Sequence, residues 1–192
     1  MPSSIYEAGN SQPDGSIAEN WIETTDGDTI LNHADYIAYN SDYDVDKANE
    51  WNLAEKVSVS AVDANIEYGL TNLMDNTAIF LYPPVPDPDV PGSEIGGPVS
   101  MIVTTDGSEL TPSLVGFDSF RPIPLKQLQG KWFVEQVFAS DTGDTQSEYA
   151  DPVIVRDGSL GRLAIVHATR DQDGLLNGEV TAEIIANYLY AK

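Results

Sequence analysis

The chain has 192 residues, 31 of them Asp or Glu and nine Lys or Arg, so it carries a formal net charge of -22, and it contains no cysteine. That length suits one domain with a substantial core. The missing cysteines exclude disulfides, thiolate metal sites and Cys nucleophiles, and basic residues scattered singly argue against direct nucleic-acid binding, which needs a clustered footprint.

High net charge also marks disordered chains, but 41% of the residues are hydrophobic and they fall into strand-length runs, so a folded protein is expected. The acidity instead indicates a salt-adapted surface. Its self-repulsion is screened once the Debye length falls to about 3 Å at 1 M salt.

In chain order, residues 1–16 are polar around a Pro13-Asp-Gly15 turn and read as a flexible N-terminal arm, leaving 17–192 as a single domain. The first residues show no basic n-region and no apolar h-region, so no secretory signal is expected. Apolar runs such as Ala78 to Tyr82 are far short of the roughly 20 residues that cross a bilayer. Ser16 to Thr25 is predicted as the first strand, turning at Thr25-Asp-Gly-Asp28 so that Thr29 to Leu31 returns as a hairpin. Asp35 to Tyr39 is a third short strand. After the acidic turn Asn40 to Asp46, the stretch Lys47 to Lys56 carries Ala48, Trp51 and Ala54 at helical spacing behind Asp46 as N-cap. Val57 to Asp63 alternates as a strand, Leu70, Leu73 and Met74 mark a helical turn, and Ala78 to Tyr82 is an apolar strand.

Residues 83–98 hold six of the chain's 12 prolines. Missing amide donors and fixed φ angles keep such a stretch out of a sheet interior, and an exposed, extended loop is expected. Val99 to Thr105 resumes the strands and turns at Thr105-Asp-Gly-Ser108, with Leu110 to Phe117 pairing back. Ile102-Val-Thr-Thr-Asp-Gly107 matches Ile22-Glu-Thr-Thr-Asp-Gly27, but six residues that spell strand-then-turn recur easily by chance. Phe120 to Leu125 is a Pro-interrupted edge or loop, and Lys131 to Phe138 is an aromatic-rich strand. The C-terminal part reads as a meander of Pro152 to Val155, Leu163 to Thr169 and Val180 to Tyr190. Its turns are Arg156-Asp-Gly-Ser159 and Asp171-Gln-Asp-Gly174. The total of about eight to ten short strands predicts an all-β sandwich or barrel with one or two short helical turns.

No constellation spells a reaction. Gly161, His167, Thr169 and Asp173 are similar to the first metal-binding motif of cupins, but Thr169 stands where that motif has a second histidine. His33 and His167 are the only histidines, so a three-histidine site cannot be assembled and a hydrogen-bonded strand histidine is expected. Asp42, Asp44 and Asp46 alternate like the opening of a calcium loop, yet Lys47 stands where an EF-hand has Gly and Leu53 where it has Glu. Asp141, Asp144 and Glu148 form a second acidic loop. Either loop has oxygens enough for a structural calcium or magnesium ion, against the simpler reading of a solvated acidic surface; no cofactor is otherwise expected. Thirty-one carboxylates remove any signal from a carboxylate pair, and no nucleophile elbow, P-loop or dinucleotide fingerprint occurs. Trp21, Trp51 and Trp132 are expected in the core rather than on a sugar-stacking platform. No catalytic, cofactor-binding or metal residue is therefore assigned.

The polar arm 1–16, the Pro-rich loop 83–98, the acidic composition and the strands Val57 to Asp63, Val99 to Thr105, Lys131 to Phe138 and Pro152 to Tyr190 together resemble the small major capsid protein of the membrane-containing icosahedral viruses of haloarchaea, the sphaerolipovirus-like group. The resemblance implies a single jelly roll of about eight strands. It also implies a structural role in a virion shell assembled in a high-salt cytoplasm above an internal membrane, from copies of this chain and a second, larger major capsid protein. It implies no small-molecule substrate. The rival from another class is a β-sandwich module binding carbohydrate or calcium at its loops; an enzyme ranks third, needing a converged carboxylate pair in a pocket.

Overall fold

A computed structural model of the chain describes residues 17–24, 29–32, 84–86, 88–96, 98–119, 122–166 and 177–191. This part is mostly β, with strands in curled sheets and few short helices. Its elements are α1 (Ile17–Thr24), β1 (Thr29–Asn32), β2 (Pro84–Pro86), β3 (Glu94–Gly96), β4 (Val99–Val103), α2 (Thr105–Leu110), β5 (Phe117–Ser119) and β6 (Ile123–Pro124). After a 3-10 turn at Leu125–Gln127 come β7 (Trp132–Val137), β8 (Ala139–Ser140), β9 (Tyr149–Ala150), β10 (Val153–Asp157) and β11 (Arg162–Ile165). The last element is α3 (Asn177–Glu183), which runs on as a π-helical segment, Ile184–Leu189.

One long bent hairpin runs through both larger sheets. β7 pairs antiparallel with β10, and β8 with β9. The bonds Phe138 N–H to Pro152 O (3.0 Å) and Asp151 N–H to Ala139 O (3.1 Å) carry one ladder into the other. The β7–β10 half joins a four-stranded sheet of order β1-β11-β10-β7, and the β8–β9 half a five-stranded sheet of order β5-β4-β8-β9-β6. The bend at Phe138 is buttressed by Thr104, whose N–H donates to Phe138 O (2.9 Å) and whose hydroxyl reaches Val137 O (2.9 Å).

The four-stranded sheet is apolar on both faces, because successive side chains of a strand point to opposite sides and here both sides are inside. Ile30, Leu163, Ile165, Val153, Val155 and Trp132 face one core cluster, which α1 closes with Ile22. Leu31, Ala164, Ile154 and Phe138 face the other, which α3 closes with Val180, Ile184 and Tyr188.

Several expectations change in the fold. Residues 17–24 are a helix rather than a strand, with Ile22 fully buried and Trp21 53% exposed. With no strand there to return from, β1 pairs in parallel with β11, Thr29 opposite Arg162. Val180 to Tyr190 is helical as well: the buried residues are Val180, Ile184 and Tyr188, four apart, while Ala182 and Ala186 face out. The alternation of Val180, Ala182, Ile184 and Ala186 fits both periods because alanine is tolerated on either side of a helix. Thr105-Asp-Gly-Ser108 opens α2 instead of turning a hairpin. The Thr104 hydroxyl accepts the Gly107 N–H at 2.9 Å as its N-cap. β5, three residues at the end of the expected return strand and beyond it, does the pairing with β4. The Pro-rich stretch contains a small ribbon, β2 with β3, turned at Val90-Pro-Gly-Ser93 with Gly92 at φ +85° and Ser93 N–H on Val90 O. Proline before glycine is the type II turn signature, and prolines two apart leave Val85, opposite Ile95, to supply the ladder.

Other expectations match. β4, β7, β10 and β11 lie where strands were predicted, β6 is a sheet edge, and Gly158 takes φ +53° in the β10–β11 turn. The two Ile-x-Thr-Thr-Asp-Gly segments are not a structural repeat, since Ile22 is in a helix and Ile102 in a strand. The segments predicted at Asp35 to Tyr39, Lys47 to Lys56, Val57 to Asp63, Leu70 to Met74 and Ala78 to Tyr82 lie outside the described residues, as does the arm 1–16.

Candidate functional site

The ion-paired cluster among the described residues lies where the end of α3 meets the four-stranded sheet. Arg156 and Arg162 sit directly opposite each other on β10 and β11, six residues apart across the Asp157-Gly158 turn. Two guanidiniums in register on one face repel unless an anion stands between them. Glu135 supplies it. β7 opposes β10 as Val134 to Val155 and then Gln136 to Ile154, so Glu135 is the extra residue of a β-bulge. Phe133 stands opposite Arg156, so ordinary alternation puts Glu135, two residues on, on the arginine side, and the bulge instead returns Val137 to the face of Trp132 and Val134.

Arg162 Nε lies 2.8 Å from both Glu135 oxygens, and Arg156 Nη1 is 3.9 Å from Oε2. Arg156 is also tied to its own turn, donating from Nε to Leu160 O (3.0 Å) and from Nη2 to Ser159 O (3.2 Å). The Tyr188 hydroxyl donates to Glu135 Oε1 at 2.9 Å, and its ring meets Phe138 edge-on, centroids 5.9 Å apart. Side-chain exposures of 10% for Glu135, 17% for Arg162 and 22% for Arg156 place the cluster largely out of water, where charge-assisted bonds are strong and little screened. What this arrangement does chemically is hold: it locks three strands and the last helix to each other.

A second polar knot fixes the other end of α3. Ser113, in the α2–β5 loop, donates its N–H to Glu183 Oε2 (3.0 Å) and its hydroxyl to Glu183 Oε1 (2.7 Å). Glu179 Oε2 stands 3.3 Å from the same hydroxyl. Between the two knots, Asn187 donates to Leu110 O at 2.8 Å. The π-helical segment lets Asn187 and Tyr188 reach these separate partners.

The acidic loop 141–148 is organised by its own backbone. Asp141 Oδ1 accepts the N–H groups of Glu148 and Tyr149, both at 3.1 Å, and Asp144 Oδ1 that of Gln146 at 2.7 Å. The hydroxyls of Ser140, Thr142 and Ser147 bond to one another beneath it. Asp141, Asp144 and Glu148 do not converge, and no group of three or more His, Cys, Asp or Glu side chains among the described residues is arranged to hold a metal ion. Trp132 is buried as expected, whereas Trp21 is not in the core: α1 turns Ile22 inward and leaves its neighbour outside. His33, His167, Asp42, Asp44, Asp46 and Trp51 lie outside the described residues.

The arginine pair was not legible in the sequence: a two-residue Asp-Gly turn would set Ser159 opposite Arg156, whereas the turn runs from Asp157 to Gly161 and sets Arg162 there. Glu135 was not legible either, because nothing local in the sequence says that β7 lies beside β10. No protein-family model, curated protein or solved structure matches the chain.

Proposed function

We propose that this chain is a structural shell subunit of a salt-adapted virion, a small major capsid protein built as a single jelly roll. It would assemble with copies of itself and with a second, larger capsid protein around an underlying membrane. The observation that carries this reading is the division of labour between inside and outside. The polar groups of the interior hold strands, loops and helices to each other: Ser119 to Asp151 (2.6 Å), Thr104 to the bend at Phe138, Glu135 to its arginines. Large apolar side chains, by contrast, stand outside on an acid-rich surface, namely Trp21, Ile102, Val115, Phe133, Ile185 and Tyr190, the last 88% exposed. Such a surface can meet another only where salt screens 31 carboxylates, and multimolar salt lowers repulsion between subunits while apolar contacts persist. The parallel β1–β11 pair is not a jelly-roll pairing, since a jelly roll is built from antiparallel strands.

The test is the light-scattering mass of the purified chain against concentration in 3 M KCl, alone and with its coat partner. Growth of mass with concentration, or discrete oligomers that dissociate as salt is withdrawn, is expected. A monomer under all conditions, with melting raised by calcium but not by magnesium at equal ionic strength, would replace this reading by the loop-binding module.

A further inference from the structure

α3 is fastened at its two ends by contacts of opposite electrostatic character. Its far end rests on attraction, Tyr188 bonding to a carboxylate held between two arginines. Its near end rests on a like-charge contact. Glu183 and Glu179 lie one helical turn apart and both reach the hydroxyl of Ser113, at 2.7 and 3.3 Å. A serine hydroxyl has one proton. The shorter distance assigns it to Glu183, which also takes the Ser113 N–H, so Glu179 faces an oxygen lone pair. Because both carboxylates touch one atom, these oxygens are at most about 6 Å apart. Neither α3 nor the loop from Thr111 to Gly116 contains a Lys or Arg, and α2, which packs on the π segment, adds Asp106 and Glu109.

The separation of this pair falls between two screening regimes. At 0.1 M salt the Debye length is about 10 Å, longer than the gap, and at 1 M it is about 3 Å, half the upper bound on the gap. Repulsion is thus felt in dilute buffer and largely removed in strong salt, while the partly buried Glu135 cluster responds much less. We propose that the N-terminal half of α3 is a salt-gated latch. In multimolar salt, Glu179 and Glu183 close on Ser113 and Val180 seals the core. In dilute salt, the segment Asn177 to Glu183 opens from Ser113 more often, uncovering Leu114, while Tyr188 keeps the far end seated on Glu135. This latch acts within one chain, and it stands or falls independently of assembly.

Hydrogen exchange of the full chain tests it, stepping KCl from 3 M downward for as long as the tryptophan emission remains native. The amides of residues 180–184 should accelerate relative to those of β7 by roughly threefold, the factor that corresponds to two unit charges about 6 Å apart in water. Glu179→Gln should abolish that relative acceleration. Glu148→Gln, which removes one charge from the exposed acidic loop, should keep it. The latch is refuted if helix and β7 amides accelerate together at every step, if Glu179→Gln behaves like the parent, or if Glu148→Gln suppresses the effect equally.

Discussion

At the scale of single residues, the bend in the long hairpin depends on an absent side chain. A Cβ on Gly107 would sit 1.9 Å from the Phe138 carbonyl oxygen, which is backbone already bonded to Thr104 and cannot retreat. Gly107→Ala is therefore expected to cost about 3 kcal/mol or more, at the upper end for overpacking. Gly178→Ala is the contrast. Its Cβ would meet nothing within 4 Å in a helix, so a gain of up to about 1 kcal/mol is expected. Chemical denaturation of both variants in 3 M KCl decides the pair. At Glu135, replacement by Gln leaves Arg156 and Arg162 facing each other without their shared anion, and a loss of about 2 to 4 kcal/mol is expected. Tyr188→Phe removes one bond to the same carboxylate and should cost about 1.5 kcal/mol. The double variant should lose less than the sum of the singles, because both act through one group.

At the scale of elements, the decisive question was which periodicity each apolar run obeys. β4, β7, β10 and β11 were legible because their runs are short, rich in β-branched or aromatic residues and bracketed by Asp-Gly or proline. Residues 17–24 and 180–190 read as strands because the sequence pattern alone admits both periods there. What decided them is the sheet they cover, whose two apolar faces each need a lid that a helix provides. Substitution separates the two periods directly. Ile184→Ala should cost about 2 to 4 kcal/mol as a buried truncation. Ala186→Lys, inward in the strand reading but outward on the helix, should change stability by no more than about 0.5 kcal/mol. Thermal melts of the two proteins check this, and a large loss in the lysine variant would restore the strand.

For the whole molecule the governing quantity is its charge of -22. Melting temperature should rise steadily with KCl from 0.1 to 3 M as self-repulsion is screened. The Glu135→Gln variant should show the same slope from a lower starting point, because its lost contact was little exposed to salt. A flat melting profile would remove the salt-adapted reading. Composition and local pattern by themselves determined that the chain is a folded, mostly β, acidic protein without cysteine chemistry. They also located β7, β10 and the turn between β10 and β11, because these follow from side-chain period and backbone freedom over a few neighbouring residues, though not β8 and β9. Only the tertiary structure decided that residues 17–24 and 177–189 are helical lids, that β1 lies parallel to β11, and that Glu135 of β7 comes to lie beside the arginines of β10 and β11. Each of these depends on partners between 21 and more than 130 residues away in the chain, and no local signal records which distant face an apolar or charged side chain will meet.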